Sequence, residues 1–228
     1  IKLLYYFMFD KLPISSKTEK ILTKSLDEPI SAEDANYLIN IKGSDLYPLL
    51  ATADYLRQEI AGNNVTFINN CNINFTNICT VRCGFCAFGK DADDPEAYIL
   101  DDEAILKKAQ GAVDKGAHEF CVMGGVLPDA DVEYYEHLLQ LLKGEFPNIM
   151  IHGFSPTMIK DASVVSGISV EDAFERLKSA GLDTLPGTAA EILTDRSREI
   201  ICPEKVTTQE WIDIVKTAHE VGIPGSAT

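Results

Sequence analysis

From residue 65 onward the chain alternates short apolar runs with amphipathic stretches, repeating about every 30 residues, the length of a strand–helix–strand unit. The segment "VTFINNCNINFTN" (65–77) is rich in β-branched and aromatic residues and predicts extended backbone. Further apolar runs follow at 119–125 ("EFCVMGG"), 148–155 ("NIMIHGFS"), 182–188 ("LDTLPGT") and 222–228 ("GIPGSAT"). Helical stretches separate them. "DVEYYEHLLQLLKGEF" puts Val132, Tyr135, Leu138, Leu139 and Leu142 on one face, Ser169 and Asp172 open a capped helix, and Thr207 and Glu210 form a capping box. Repeated units of this kind give a parallel sheet with right-handed crossovers. An open doubly wound sheet and a (β/α) barrel both satisfy the pattern, and both bind ligands at the carboxyl ends of their strands.

Residues 1–64 read differently, as a helical region. "SSKTEKILTKSL" and "SAEDANYLIN" each start with a serine cap, and Leu46, Leu49, Leu50, Ala53, Leu56 and Ile60 recur at helical spacing. Pro48 fits only in the first turn of that last helix. With 46% hydrophobic residues the chain can build a real core. A net charge of −15 argues against a nucleic-acid partner, since phosphate binding needs clustered Lys and Arg. No apolar run is long enough to cross a bilayer, and "IKLLYYFMF" is a poor signal peptide. The six cysteines are therefore expected in a reducing cytoplasm, as thiols or metal ligands.

Three of those cysteines lie within "CTVRCGFCAF": Cys79, Cys83 and Cys86, spaced C-x3-C-x2-C. Three is one too many for a disulfide and one too few for a closed zinc site, which would need Cys71, Cys121, Cys202 or His118 as a fourth ligand. Thiolates on a tight loop also suit a [4Fe–4S] cube, here with one iron lacking a protein ligand and open to a small amino-carboxylate. Gly84 allows a sharp turn, and Phe85 and Phe88 are placed to shield such a cluster or stack on a base. On the residues alone an electron carrier or a zinc-stabilised scaffold stays open beside an enzyme. Cys71, Cys121 and Cys202 read as packing thiols.

The cysteine loop resembles the C-x3-C-x-aromatic-C signature of the radical S-adenosylmethionine (SAM) superfamily, and it follows the first strand as in that family. The resemblance implies a [4Fe–4S] cluster on Cys79, Cys83 and Cys86, SAM chelating the fourth iron, and Phe85 near the adenine. It places Gly124 and Gly125 near the methionine amino group, through backbone only because Val126 stands where the family has Glu. Glu191 resembles the polar residue aimed at the ribose, with a helix N-terminal carboxylate as its alternative role. The implied fold is a partial (β/α) TIM-like barrel over residues 65–228, truncated after its fifth strand.

The strings "NINFTNIC", "HGFSP", "LPGTAAEIL" and "REIICPEKVTTQEWIDIVKTAHEVGIP" resemble the second-subunit family of FO synthase. The radical SAM enzymes of futalosine-dependent menaquinone synthesis share the loop and are the alternative. The first resemblance implies transfer of the 4-hydroxybenzyl group of L-tyrosine to 5-amino-6-(D-ribitylamino)uracil. It further implies a low-potential electron donor and the cyclising first subunit as partners. Thr76, Asn77, His152, Ser155 and Thr188, at the strand ends, are the candidate substrate contacts. No general acid or base stands out.

Overall fold

The computed structural model describes residues 13–188 and 190–227, so "IKLLYYFMF" and its reading lie outside it, as do Ala189 and Thr228. The chain divides into two compact units between Phe67 and Ile68.

Among the described residues the first unit holds α1 (Ser16–Ser25), α2 (Ala32–Ile39) and α3 (Leu46–Ala61), with a 3-10 turn at Gly43–Asp45. Ser15 and Ser31 cap α1 and α2 by accepting the N–H three residues on. The unit's core is small: Ile21, Leu22 and Leu38, with Leu49 and Tyr55 packed on it. The side of α3 that is buried is Pro48 and Thr52, while Leu46, Leu50 and Ile60 are exposed. Apolar periodicity therefore misjudged this face. The Thr52 hydroxyl is accommodated on the buried side by donating to the Pro48 carbonyl at 2.7 Å.

The second unit is α/β. Strands β1 (Asn70–Asn74), β2 (Glu119–Met123) and β3 (Met150–Gly153) form a parallel sheet in the order β1-β2-β3. Single parallel bridges, His152 to Thr184 and Leu185 to Gly225, continue it through two further positions. Helices α4 (Asp102–Val113), α5 (Val132–Glu145), α6 (Pro156–Ser166), α7 (Val170–Ala180), α8 (Asp195–Ile201) and α9 (Thr208–Glu220) make the connections. Both expected caps, Ser169 with Asp172 and Thr207 with Glu210, are present. Extended structure is shorter than the 65–77 composition suggests: only 70–74 finds a partner strand, and Val65 and Phe67 are exposed. Helix α6 was not anticipated, although Ser155 followed by Pro156 is an N-cap and first-turn signal.

The core fills the space between sheet and helices with Ile73, Phe120, Val122, Ile151, Leu139, Leu142, Phe174 and Leu177. At its centre Phe75 packs edge-on against Tyr135 and Phe154, and Tyr135 and Phe154 lie 4.5 Å apart. Through Phe75 this cluster packs against Gly124, just past the carboxyl end of β2. No helix among the described residues is long and apolar enough to cross a membrane.

Candidate active site around the cysteine loop

The cysteine loop belongs to the long connection between β1 and α4, and its shape comes from backbone bonding rather than regular structure. Cys79 N donates to Lys90 O (3.0 Å), Lys90 N to Asn77 O (2.8 Å) and Thr80 N to Val126 O (2.9 Å). Cys86 N donates to Cys83 O at 3.0 Å, closing the tight turn around Gly84. Asn77 is buried and spent on this frame, donating to Glu96 O and accepting from Tyr98 N, both at 2.8 Å. Thr76 donates to Tyr98 O at 2.7 Å.

The turn after β2 presses on the loop. A Cβ at Gly125 would lie 2.0 Å from the Ile78 carbonyl oxygen and 2.8 Å from the Cys79 Cβ, and one at Gly124 would lie 2.9 Å from the Phe75 ring. Both glycines are thus required by the fold itself, because the space a side chain needs is already filled. Their closeness lets Val126 N donate to Cys79 Sγ at 3.3 Å.

One cavity of about 220 Å³ opens here. Cys79, Cys83 and Cys86, the rings of Phe85 and Phe88, Gly124, Gly125, Ser155, Thr188 and Glu191 all border it. Asn77 and His152 do not: Asn77 braces the loop, and His152 Nδ1 pairs with Thr184 Oγ1 at 2.6 Å within the sheet. Burial lowers the His152 pKa, keeping the ring neutral at neutral pH. Burial raises the Cys83 thiol, and the Lys205 ammonium opposes that rise. Burial also raises Cys121, in keeping with a packing thiol.

Glu191 lies before α8, not in its first turn, so the dipole-facing alternative does not describe it. It adopts φ 35°, unusual for a non-glycine. Its Oε1 accepts from Lys205 Nζ at 2.6 Å and its Oε2 lies 3.9 Å from Arg198. Phe154, with φ 64°, is a second such residue at the end of β3. Among the polar groups on the cavity wall, Thr157 and Lys205 escaped the sequence reading. Thr157, buried in the first turn of α6, and Thr188 each carry a buried hydroxyl with no protein partner. Lys205, the other missed residue, sits in the "ICPEK" string beside Glu204, where nothing local marks it.

An all-thiolate donor set on a glycine turn, with a backbone N–H aimed at one sulfur, fits an iron–sulfur cluster. Among the described residues no three His, Cys, Asp or Glu side chains gather around a single metal ion. A four-iron cube takes one thiolate per iron, so its ligands need not meet at one point.

Comparison with known proteins agrees with this geometry. The chain is 48% identical over 215 residues to the 5-amino-6-(D-ribitylamino)uracil–L-tyrosine 4-hydroxyphenyl transferase of Methanothermobacter thermautotrophicus, covering 94% of this chain and 59% of that protein. It is 45% identical over 184 residues to the protein of that name from Methanopyrus kandleri, covering 81% and 50%. It therefore spans between half and three fifths of these curated relatives. Among solved structures, the hydrogenase maturase HydG of Carboxydothermus hydrogenoformans aligns over 91% of this chain and 46% of its own (TM-score 0.69, 19% identity). Methylornithine synthase (PylB) aligns over 92% and 57% (TM-score 0.63, 19% identity); at such identities the likeness concerns the fold. The description "Radical SAM superfamily" matches residues 73–228, from the first strand through the cysteine loop to the last bridge, and the chain belongs to that superfamily.

Proposed function

We propose that this chain carries the SAM-binding part of a 4-hydroxyphenyl transferase acting on L-tyrosine and 5-amino-6-(D-ribitylamino)uracil in FO biosynthesis. The observation that carries the reading is the convergence of the three loop cysteines, the β2 glycine turn and Glu191 on one cavity. The 48% identity to a relative of that name supports the choice of substrates. In this reading Cys79, Cys83 and Cys86 hold a [4Fe–4S] cluster and leave one iron for the amino and carboxylate groups of SAM. Bound together, cluster and SAM supply one-electron reductive cleavage and a carbon-centred radical able to abstract hydrogen.

The chain's own groups then have distinct tasks. Val126 N–H fixes the Cys79 sulfur. The backbone at Gly124 and Gly125 approaches closely enough to meet the methionine amino group. Phe85, more than half exposed, is free to turn onto the adenine, and Glu191 faces the ribose. Ser155 and Thr188, on the cavity wall, are the substrate-side contacts we retain, joined by Thr157, whose unpartnered hydroxyl suits a polar ligand group. His152 and Asn77 position β3 and the loop. The packed rings of Phe75, Tyr135 and Phe154 back the Gly124 turn that borders the site.

A low-potential electron donor and the cyclising FO synthase subunit are the partners of this reading, and a reducing cytoplasm is its setting, since the thiols must stay reduced. A TIM-like (β/α) arrangement of the second unit is likewise part of the proposal. Anaerobic reconstitution with iron and sulfide, then dithionite and SAM, tests it: 5′-deoxyadenosine should form, and tyrosine with the ribityl-aminouracil should give a hydroxybenzyl adduct. A protein that binds iron without ever cleaving SAM would sink the catalytic reading.

A further inference from the structure

The segment that follows α8 returns to the cysteine loop and touches it at three levels. Ile201 O accepts from Gly84 N at 2.7 Å, and Glu204 Oε2 accepts from Arg82 N at 3.2 Å, so both backbone donors lie between the first and third cysteines. Lys205 completes the contact. Its ammonium bonds Glu191 Oε1 at 2.6 Å and stands 5.4 Å from the centroid of the Phe85 ring, within reach of a cation–π attraction. Its side chain is 15% exposed, and it borders the same cavity as the cysteines. Neither the cysteine signature nor the strand-end glycines account for a cation here.

From this geometry we infer that Lys205 is a positioning residue, joining the cysteine loop to the Glu191 loop across the cavity mouth. The inference rests on the proposed SAM site and deepens it. Glu191 holds a backbone conformation that a non-glycine rarely takes, and such a conformation persists only when its surroundings impose it. Lys205 supplies that restraint on one carboxylate oxygen, and Arg198 stands behind the other. Arg198 cannot substitute for it. Its guanidinium is buried and already bound to the carbonyls of Ala190 and Val206, which fasten the base of the loop rather than its tip. Through Phe85 the same ammonium steadies the ring expected over the adenine. Its charge also lies beside the thiolates, where it favours the more negative, reduced state of a bound cluster. Lys205 therefore tunes two properties together: SAM affinity and cluster potential.

The test uses the reconstituted chain with K205M, K205R and E191Q, reading iron content, the SAM dissociation constant and the cluster midpoint potential followed by electron paramagnetic resonance. K205M should load iron like the unaltered chain, bind SAM about tenfold more weakly, as expected for loss of one charge-assisted hydrogen bond, and show a more negative potential. K205R should restore both. In a double-mutant cycle K205M and E191Q should be strongly non-additive for SAM binding, because each removes the same contact. Unchanged SAM affinity and potential in K205M would overturn the inference, as would additivity in the cycle. Should K205M fail to fold, K205Q decides: full iron content with about tenfold weaker SAM binding and a more negative potential supports the contact, and unchanged affinity and potential refute it. Failure of the unaltered chain to bind iron or SAM would instead strike the proposed function.

Discussion

The two units of this chain are held together by different physics. In the first, Ile21, Leu22 and Leu38 are the whole of the described buried apolar cluster, and polar bonding carries much of the order. The Asp45 carboxylate accepts from Ser15 N and Oγ and from Thr18 Oγ1 at 2.6–2.8 Å, which holds its pKa below the ordinary carboxylate value. Tyr37 joins the same network through Thr18 at 3.1 Å. In the second unit the core runs continuously from Ile73 to Ile223, and polar groups gather above it, at the strand ends. The difference shows where chemistry can be built. A strained residue such as Glu191, or a loop with little regular structure such as 79–89, needs a large rigid base, and only the second unit provides one.

The largest test of this contrast is to remove a loop cysteine. Cys79→Ala, Cys83→Ala or Cys86→Ala should abolish iron loading and SAM cleavage, a loss of several orders of magnitude in rate, while the far-ultraviolet circular dichroism stays unchanged. A variant that keeps full iron content would mean that the loop is not the ligand set.

Next in size is Phe75→Ala, which removes a fully buried ring from behind the Gly124 turn. We expect a loss of about 3–5 kcal/mol in chemical unfolding of the second unit. Gly125→Ala should cost less, about 1–3 kcal/mol, yet also lower iron retention, because the new methyl must displace the Ile78 carbonyl beside Cys79. If iron retention does not fall, the glycine serves only the turn.

Thr18→Val probes the first unit. Thr18 is fully buried, and losing its hydroxyl should destabilise that unit by about 1 kcal/mol and leave SAM binding untouched. An effect on the iron site would show that the two units are not energetically separate. The smallest effect is on pH. Burial places the His152 pKa below 6.5, so between those values the unfolded chain binds more protons than the folded one. Stability should thus be fully present above pH 6.5 and fall as the pH drops below it. A melting temperature that instead rises on acidification through that window would contradict the buried, neutral ring.

Much of this architecture was legible from local pattern. The caps at Ser15, Ser31, Ser169 and Thr207 follow from side-chain chemistry acting three residues away, and the apolar face of α5 follows from helical spacing. Where pattern misled, a partner outside the segment decided. Val65 and Phe67 favour strand but pair with no strand among the described residues, and Leu46, Leu50 and Ile60 repeat at helical spacing yet stay exposed. Ser155-Pro156 follows the end of β3 and at once starts α6, so the apolar run before it hides the helix signal.

The site divides along the same line. Three cysteines in eight residues read as a soft-metal loop from sequence alone, since their spacing and ligand chemistry are local properties. That Gly125 must be glycine because of Ile78, and that Asn77 and His152 are braces rather than cavity groups, depends on atoms brought together from distant segments. So does Lys205, which reaches Glu191 and Phe85 from far along the chain. Such contacts arise when the strands align in parallel and present their carboxyl ends on one side, and no stretch of sequence records which loops will then face each other.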